Sequence, residues 1–242
     1  MNINLKNCTV EIYTGTETMN ISGETPTGTA AEAPAENAKP MKPEESGFIS
    51  EMTYSMAAFM ANRDKVRIGD RVKLPAFTVP SCGVAGDDVL NFDEQNIKAD
   101  EAIVIGKDEN GNFILIFDHC LFESAIDLNN EKCFEKTQLG LYLQQEFLRA
   151  MNNAGIPAES CGLISKDEMS GDNALEYFKK GRNRIAFDFD EDYSRYYWLS
   201  SLSDEEASAA NFCCATNYGS SDYDHASAAG TYVRPRFVIS AI

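Results

Sequence analysis

An α+β fold is what this sequence predicts, and three observations predict it. EAIVIGKDENGNFILIFDHC, from Glu101 to Cys120, sets two β-rich apolar runs on either side of Asn110-Gly111, the signal of a hairpin. KTQLGLYLQQEFLRAMNNAG, from Lys136 to Gly155, places Leu139, Leu143, Phe147 and Met151 at successive i+4 steps, the stripe of an amphipathic helix. Helical and extended patterns alternate irregularly along the chain, which argues against a repeating βαβ parallel sheet.

The first stretch carries little of this. Residues 2–13 alternate weakly enough for one short strand, and Thr14 to Gly47 is rich in Thr, Ala, Glu, Pro and Gly with almost no large apolar residues. Residues 1–47 are therefore expected to be a flexible segment or linker, and residues 48–242 a folded domain. In that domain Ser50 is placed to cap a helix through EMTYSMAAFMANR, with Met52, Met56, Phe59 and Met60 on one face. VRIGDRVKLPAF reads as two extended pieces around the turn dipeptide Gly69-Asp70. The amphipathic helix should stop at Asn153, Gly155 and Pro157. GLIS, from Gly162 to Ser165, reads as a strand feeding a capping box of Ser165 with Glu168, and a second helix is expected around NALEYFKKG.

Composition narrows the function classes. A net charge of −17 over 242 residues offers no basic stripe for nucleic acid. There is no signal-peptide pattern and no apolar run of membrane-spanning length, so cytoplasmic synthesis without membrane insertion is expected, with assembly into a virion left open. The seven cysteines, Cys8, Cys82, Cys120, Cys133, Cys161, Cys213 and Cys214, have no CxxC spacing and read as reduced, mostly buried thiols.

Three constellations could carry chemistry. Asp108, Asn110 and Asn112 superficially suggest a calcium loop, but the glycine is misplaced and no bidentate Glu follows, so a turn is the better reading. Asp188, Asp190 and Asp192 alternate in FDFDEDY and read as a solvated acidic edge or loop; no metal site is expected. His119, after the ILIFD run, reads as a structural histidine. Asp222, Tyr223, Asp224 and His225 include acid and base groups, but no nucleophile elbow or metal spacing accompanies them, so no catalytic residue and no cofactor is assigned. The adjacent Cys213 and Cys214 should point to opposite faces of a strand, one to the core and one to the surface.

The most informative stretch runs from Tyr196 to Ser240. Strand-like YYWL and YVRPRFVI flank a run of small polar residues and tyrosines. From Ala207 to Val233 there are 27 residues without one Lys, Glu, Gln, Met or Trp. Uniform composition would put about five of those types in a stretch of that length. They are the five residue types that no codon ending in C encodes, the deficit expected of AAC-type triplets randomised at their first two bases. The same composition suits recognition, because tyrosine supplies rigid amphipathic contact area and Ser, Asn, Asp and Gly supply adaptable hydrogen bonds. Tyr218, Tyr223 and Tyr232 would be the anchors.

YYWLSS, ANFCCATNYG and GTYVRPRFVI resemble the C-terminal end of C-type-lectin-fold domains, in the branch holding the variable proteins of diversity-generating retroelements and the formylglycine-generating-enzyme fold. GLISKDEM and ALEYF also resemble such members from gut bacteria and their phages; the likeness covers roughly residues 65–242. It implies a C-type lectin-like domain of two amphipathic helices, hairpins and a C-terminal mixed or antiparallel sheet. Trp198, Leu199, Phe212, Gly219, Gly230, Val233, Arg234, Pro235 and Phe237 match its scaffold positions, with Arg234 expected to pin the last strand through a fixed polar contact.

The implied variable region is about residues 200–232, with a ligand-binding surface of Ser203, Asn211, Cys213, Thr216, Tyr218, Ser220, Ser221, Asp222, Tyr223, Asp224, His225, Ser227 and Tyr232. The resemblance implies a ligand-binding protein that recognises a protein or cell-surface ligand, with homo-oligomer or virion assembly open. Two alternatives stand beside it: an enzyme of the formylglycine-generating type or a hydrolase using His225, and a phage structural component whose polar run is a plain loop.

Overall fold

The computed structural model describes residues 10–14, 17–21, 52–189, 193–203 and 210–241. Two compact units divide between Ser46 and Gly47. In the first, Val10–Thr14 pairs antiparallel with Glu17–Ile21, so part of the segment expected to be flexible is a β-hairpin. The rest of that segment lies outside the described residues.

The second unit is α+β. A six-stranded sheet runs in the order Ser160–Gly162, Arg236–Ile239, Phe113–Phe117, Asp100–Lys107, Arg71–Leu74, Thr53–Ser55, antiparallel except for its last pair. A five-stranded sheet runs in the order Phe122–Glu123, Tyr232–Val233, Tyr197–Leu202, Asn211–Ala215, Ser221–His225. The chain contributes its first strand at Phe122–Glu123, comes back at Tyr197, leaves after His225, and returns at Tyr232 parallel to Tyr197.

The continuous apolar runs are explained by burial on both sides. Phe113, Leu115 and Phe117 join a large core with Val104, Phe147, Trp198, Phe212 and Phe237, whereas Ile114 and Ile116 join a second core with Ile103, Ile105, Met169, Phe178 and Tyr197. A strand with core on both faces has no polar face to alternate. The turn between the central strands is fixed by Asp108, whose carboxylate accepts from the Asn110 and Asn112 N–H groups, with Gly111 in the left-handed region at φ 82°.

The helix Gln138–Asn153 lies over the larger core with Leu139, Leu143, Phe147 and Met151 fully buried and Thr137 as its N-cap. Its middle turn, Leu143–Phe147, is π-helical. Gly140 is required by packing, because a Cβ there would sit 1.9 Å from the Phe134 carbonyl oxygen.

Three local expectations are corrected. The first helix starts at Met56 under a Ser55 cap rather than after Ser50, because Thr53–Ser55 pairs as a strand with Arg71–Lys73. The strand expected at Gly162–Ser165 lies at Ser160–Gly162, while the capping box of Ser165 and Glu168 opens a helix at Lys166–Ser170. The second amphipathic helix is a short 3-10 turn, Glu176–Lys179, that inserts Phe178 into the second core.

Gly69 is in the left-handed region at φ 91°, and the buried Asp70 accepts from the Met52 and Arg67 N–H groups, holding that turn. Before it, Val66 and Arg67 form no strand and Ile68 lies in the turn with Gly69, so the first of the two expected extended pieces is absent. Among the described residues no helix is long and apolar enough to cross a membrane.

Candidate functional site

The polar run folds as a hairpin at the border of the five-stranded sheet. Its first strand, Asn211–Ala215, pairs with Tyr197–Leu202 on one side and Ser221–His225 on the other. The turn is built by Thr216, whose hydroxyl bonds to Ser220 Oγ at 2.8 Å and whose N–H donates to the Ser220 carbonyl. Gly219 adopts φ 78°, and a Cβ there would lie 2.8 Å from the Gly181 carbonyl oxygen, so both backbone and space select glycine.

The two strands of this hairpin differ completely in environment. Asn211–Ala215 is buried at every position: Phe212 and Cys214 face the larger core, and Cys213 and Ala215 face the second. Ser221–His225 is exposed at every position, because it is the border strand and neither core reaches beneath it. Ser221, Tyr223 and His225 share one face, Asp222 and Asp224 the other.

Asp222 accepts from the Tyr223 N–H at 2.9 Å, and Asp224 from the His225 N–H at 2.8 Å. Each carboxylate thereby occupies a backbone donor of the border strand. Tyr218, 82 % exposed at the turn, with Ser220 and Ser227, completes the exposed set.

The expected ligand-binding residues therefore separate into two groups. Tyr218, Ser220, Ser221, Asp222, Tyr223, Asp224, His225 and Ser227 are all exposed, along the border strand and its adjoining turns. Asn211, Cys213 and Thr216 are only 4 %, 2 % and 6 % exposed and do not belong to it, since their strand and turn are packed on both sides. Ser203 and Tyr232 are half-buried. Tyr232 is held from the scaffold side, under the Arg195 guanidinium at 5.3 Å and with its hydroxyl donating to Asp188 at 3.5 Å.

Trp198, Leu199, Phe212, Val233, Arg234, Pro235 and Phe237 are buried. Trp198 donates from Nε1 to the Ser124 carbonyl at 2.7 Å, and Arg234 donates to the Phe117 carbonyl at 2.8 Å and the Asp118 carbonyl at 3.3 Å, tying the last strand to the centre of the six-stranded sheet. Gly230 is exposed with open space around its Cα, so packing does not select glycine there.

The other candidate groups are placed as follows. Cys213 and Cys214 point to opposite faces, but both faces are interior; the expectation that one reaches the surface fails because a second core lies behind the sheet. Burial, with Asp222 and Asp224 nearby, pushes the Cys214 thiol up to about 12. That is the reverse of what a nucleophilic thiolate needs.

His225 Nδ1 lies 2.8 Å from Ser227 Oγ, and no carboxylate among the described residues holds its other nitrogen. His119 is held by Asp100 at 2.7 Å and stacks on Phe189, as a structural histidine would. Asp188 corrects the solvated-edge reading: it is buried and paired with Arg195 at 2.5 Å. Asp190 and Asp192 lie outside the described residues. Among the described residues no three His, Cys, Asp or Glu side chains gather as a metal site, and the six described cysteines are free thiols.

No family model, curated protein or solved structure matches this chain.

Proposed function

We propose that the chain is a ligand-binding protein of the C-type lectin-like kind, whose border strand and adjoining turn are a surface diversified by a retroelement. One observation carries this reading: within the stretch that lacks Lys, Glu, Gln, Met and Trp, five consecutive residues, Ser221–His225, have every side chain exposed on a strand whose partner is wholly buried. Such a strand can change its side chains without disturbing either core. Tyrosines with small hydrogen-bonding neighbours suit binding by shape and polar contacts to a protein or cell-surface ligand. The high thiol pKa of Cys214, and a His225 without a carboxylate on its other ring nitrogen, support binding over turnover.

The test is the coding DNA of residues 207–233 and its neighbourhood. A run of C-ending codons, matched by an adenine-rich template repeat beside a reverse-transcriptase gene, is the expected result. Ordinary third-base usage with no repeat nearby overturns the diversification.

A further inference from the structure

Between the outermost strand of the six-stranded sheet, Ser160–Gly162, and the helix Gln138–Asn153 lies a cavity of about 400 Å³, a size that holds a small organic molecule. Part of its wall is apolar: Phe134 and Leu163 belong to the larger core, Leu148 packs against that core, and all three line the cavity. Gln144, which lines it as well, comes from the π-helical turn Leu143–Phe147, a departure from α-helix that recurs at functional sites.

One cation, Arg236, and two carboxylates, Glu135 and Glu159, line the same cavity. The Arg236 side chain is 28 % exposed and therefore within reach of a ligand. Its guanidinium is oriented by Nε, which donates to the Leu163 carbonyl at 3.3 Å. Glu168 comes only to 3.9 Å from Nη2, beyond hydrogen-bond distance, and its Oε2 is already engaged by the Ser165 N–H. The two Nη groups are the edge on which a guanidinium receives a carboxylate in a planar fork.

Glu135 is exposed, and its carboxyl is held below the ordinary value first by its own backbone N–H, then by the Cys133 thiol, with the Arg236 charge a smaller cause. That last influence sets the cation and this carboxylate near one another. Glu159 and Gln144 are exposed and take part in no side-chain hydrogen bond or ion pair among the described residues. A simple anion would meet two carboxylates here, and a simple cation would meet Arg236. A molecule with one carboxylate, one ammonium and an apolar body matches all three features of the wall.

We propose that this cavity binds a free α-amino acid with an apolar side chain, its carboxylate on Arg236, its ammonium on Glu135 and Glu159, and its side chain against Phe134, Leu148 and Leu163. The site shares no residue with the border strand Ser221–His225 and does not rest on the reading given for it.

L-Leucine is titrated into the full chain, followed by calorimetry and by saturation-transfer NMR. Saturable one-to-one binding is expected. Glycine, 4-methylpentanoate and 3-methylbutylamine lack in turn the side chain, the ammonium and the carboxylate, and each should bind about tenfold more weakly or worse. The double variant Glu135→Gln with Glu159→Gln changes two exposed side chains; it should weaken leucine about tenfold and leave 4-methylpentanoate no weaker, a split that a general loss of structure would not produce. Arg236→Gln should erase the advantage of leucine over 3-methylbutylamine, and where it fails to fold the double variant decides.

Absence of saturable binding by leucine, methionine and phenylalanine overturns the proposal, as does unchanged leucine affinity in the double variant. Binding of 4-methylpentanoate or 3-methylbutylamine as tight as that of leucine overturns the assignment of an amino acid, and equal binding of glycine overturns the apolar wall.

Discussion

The indole of Trp198 donates to the carbonyl oxygen of Ser124 at 2.7 Å, joining the centre of the five-stranded sheet to the segment that follows its Phe122–Glu123 strand. The ring is fully buried in the larger core. Trp198→Ala should cost about 3 to 5 kcal/mol. Trp198→Phe retains most of the apolar volume but orphans the Ser124 oxygen, so a smaller loss of about 1 to 3 kcal/mol is expected. Urea unfolding of both variants checks the order: equal losses would mean that the lost hydrogen bond, common to both, outweighs the lost apolar volume, and no loss in Trp198→Phe would mean that the hydrogen bond contributes nothing measurable.

Gly219→Ala should be destabilising out of proportion to its size. The left-handed backbone alone costs a non-glycine residue about 1 to 2 kcal/mol, and the new methyl would press on the Gly181 carbonyl oxygen at 2.8 Å. Gly230→Ala, in open space, is the control and should leave the melting temperature nearly unchanged.

Substitution along the hairpin should divide by strand. Ser221→Ala and Tyr223→Ala should fall within about 0.5 kcal/mol of the parent. Cys213→Leu, forced into the second core beside Leu199 and Ala215, should cost about 1 to 3 kcal/mol by overpacking. A large loss at Ser221 would contradict the exposure of the border strand.

Alkaline pH should destabilise the fold through its buried thiols. Burial pushes Cys120 and Cys161 each up to about 12 in the folded chain. An unfolded thiol ionises near about 8.5. Above that value the unfolded state releases protons that the folded state retains, so stability is fully present below it and falls as pH rises toward 12. The slope is roughly 1.4 kcal/mol per pH unit for each such thiol. Denaturant midpoints measured from pH 8 to 11 should fall, and Cys120→Ala should flatten the decline.

Asp222→Ala with Asp224→Ala should promote association. The double variant uncovers the Tyr223 and His225 N–H groups and removes two negative charges from a border strand, the two features that discourage strand-to-strand pairing. Sedimentation velocity should show concentration-dependent dimer or larger species, and a strictly monomeric double variant counts against the capping role.

The elements legible in the sequence are those whose signals are local. The central hairpin was readable because Asp108 to Asn112 supplies turn chemistry between two β-rich runs, and the helix Gln138–Asn153 because its stripe has one period. The elements that the sequence does not announce depend on distant partners. Met52 to Ser55 looks helical until the parallel strand Arg71–Lys73 claims Thr53–Ser55. Asp188 looks solvated until Arg195 and Tyr232 close on it.

In the hairpin of the polar run, Ser221 to His225 could be placed at the surface from composition. Asn211 and Cys213 could not be placed inside, because small residues buried between two cores carry no hydrophobic signature.

The hairpin Asn211–His225 has a consequence for how tolerance to change should be distributed along the chain. On an ordinary half-buried sheet, permissive and restrictive positions alternate residue by residue. Here one strand has both faces inside and its partner both faces outside. A saturation scan should therefore read as a step at Thr216–Ser220, a closed block followed by an open one. For a graft, the open block is a ready socket: a foreign five-residue motif placed at Ser221–His225 would be displayed on a rigid strand, with the closed block as its anchor.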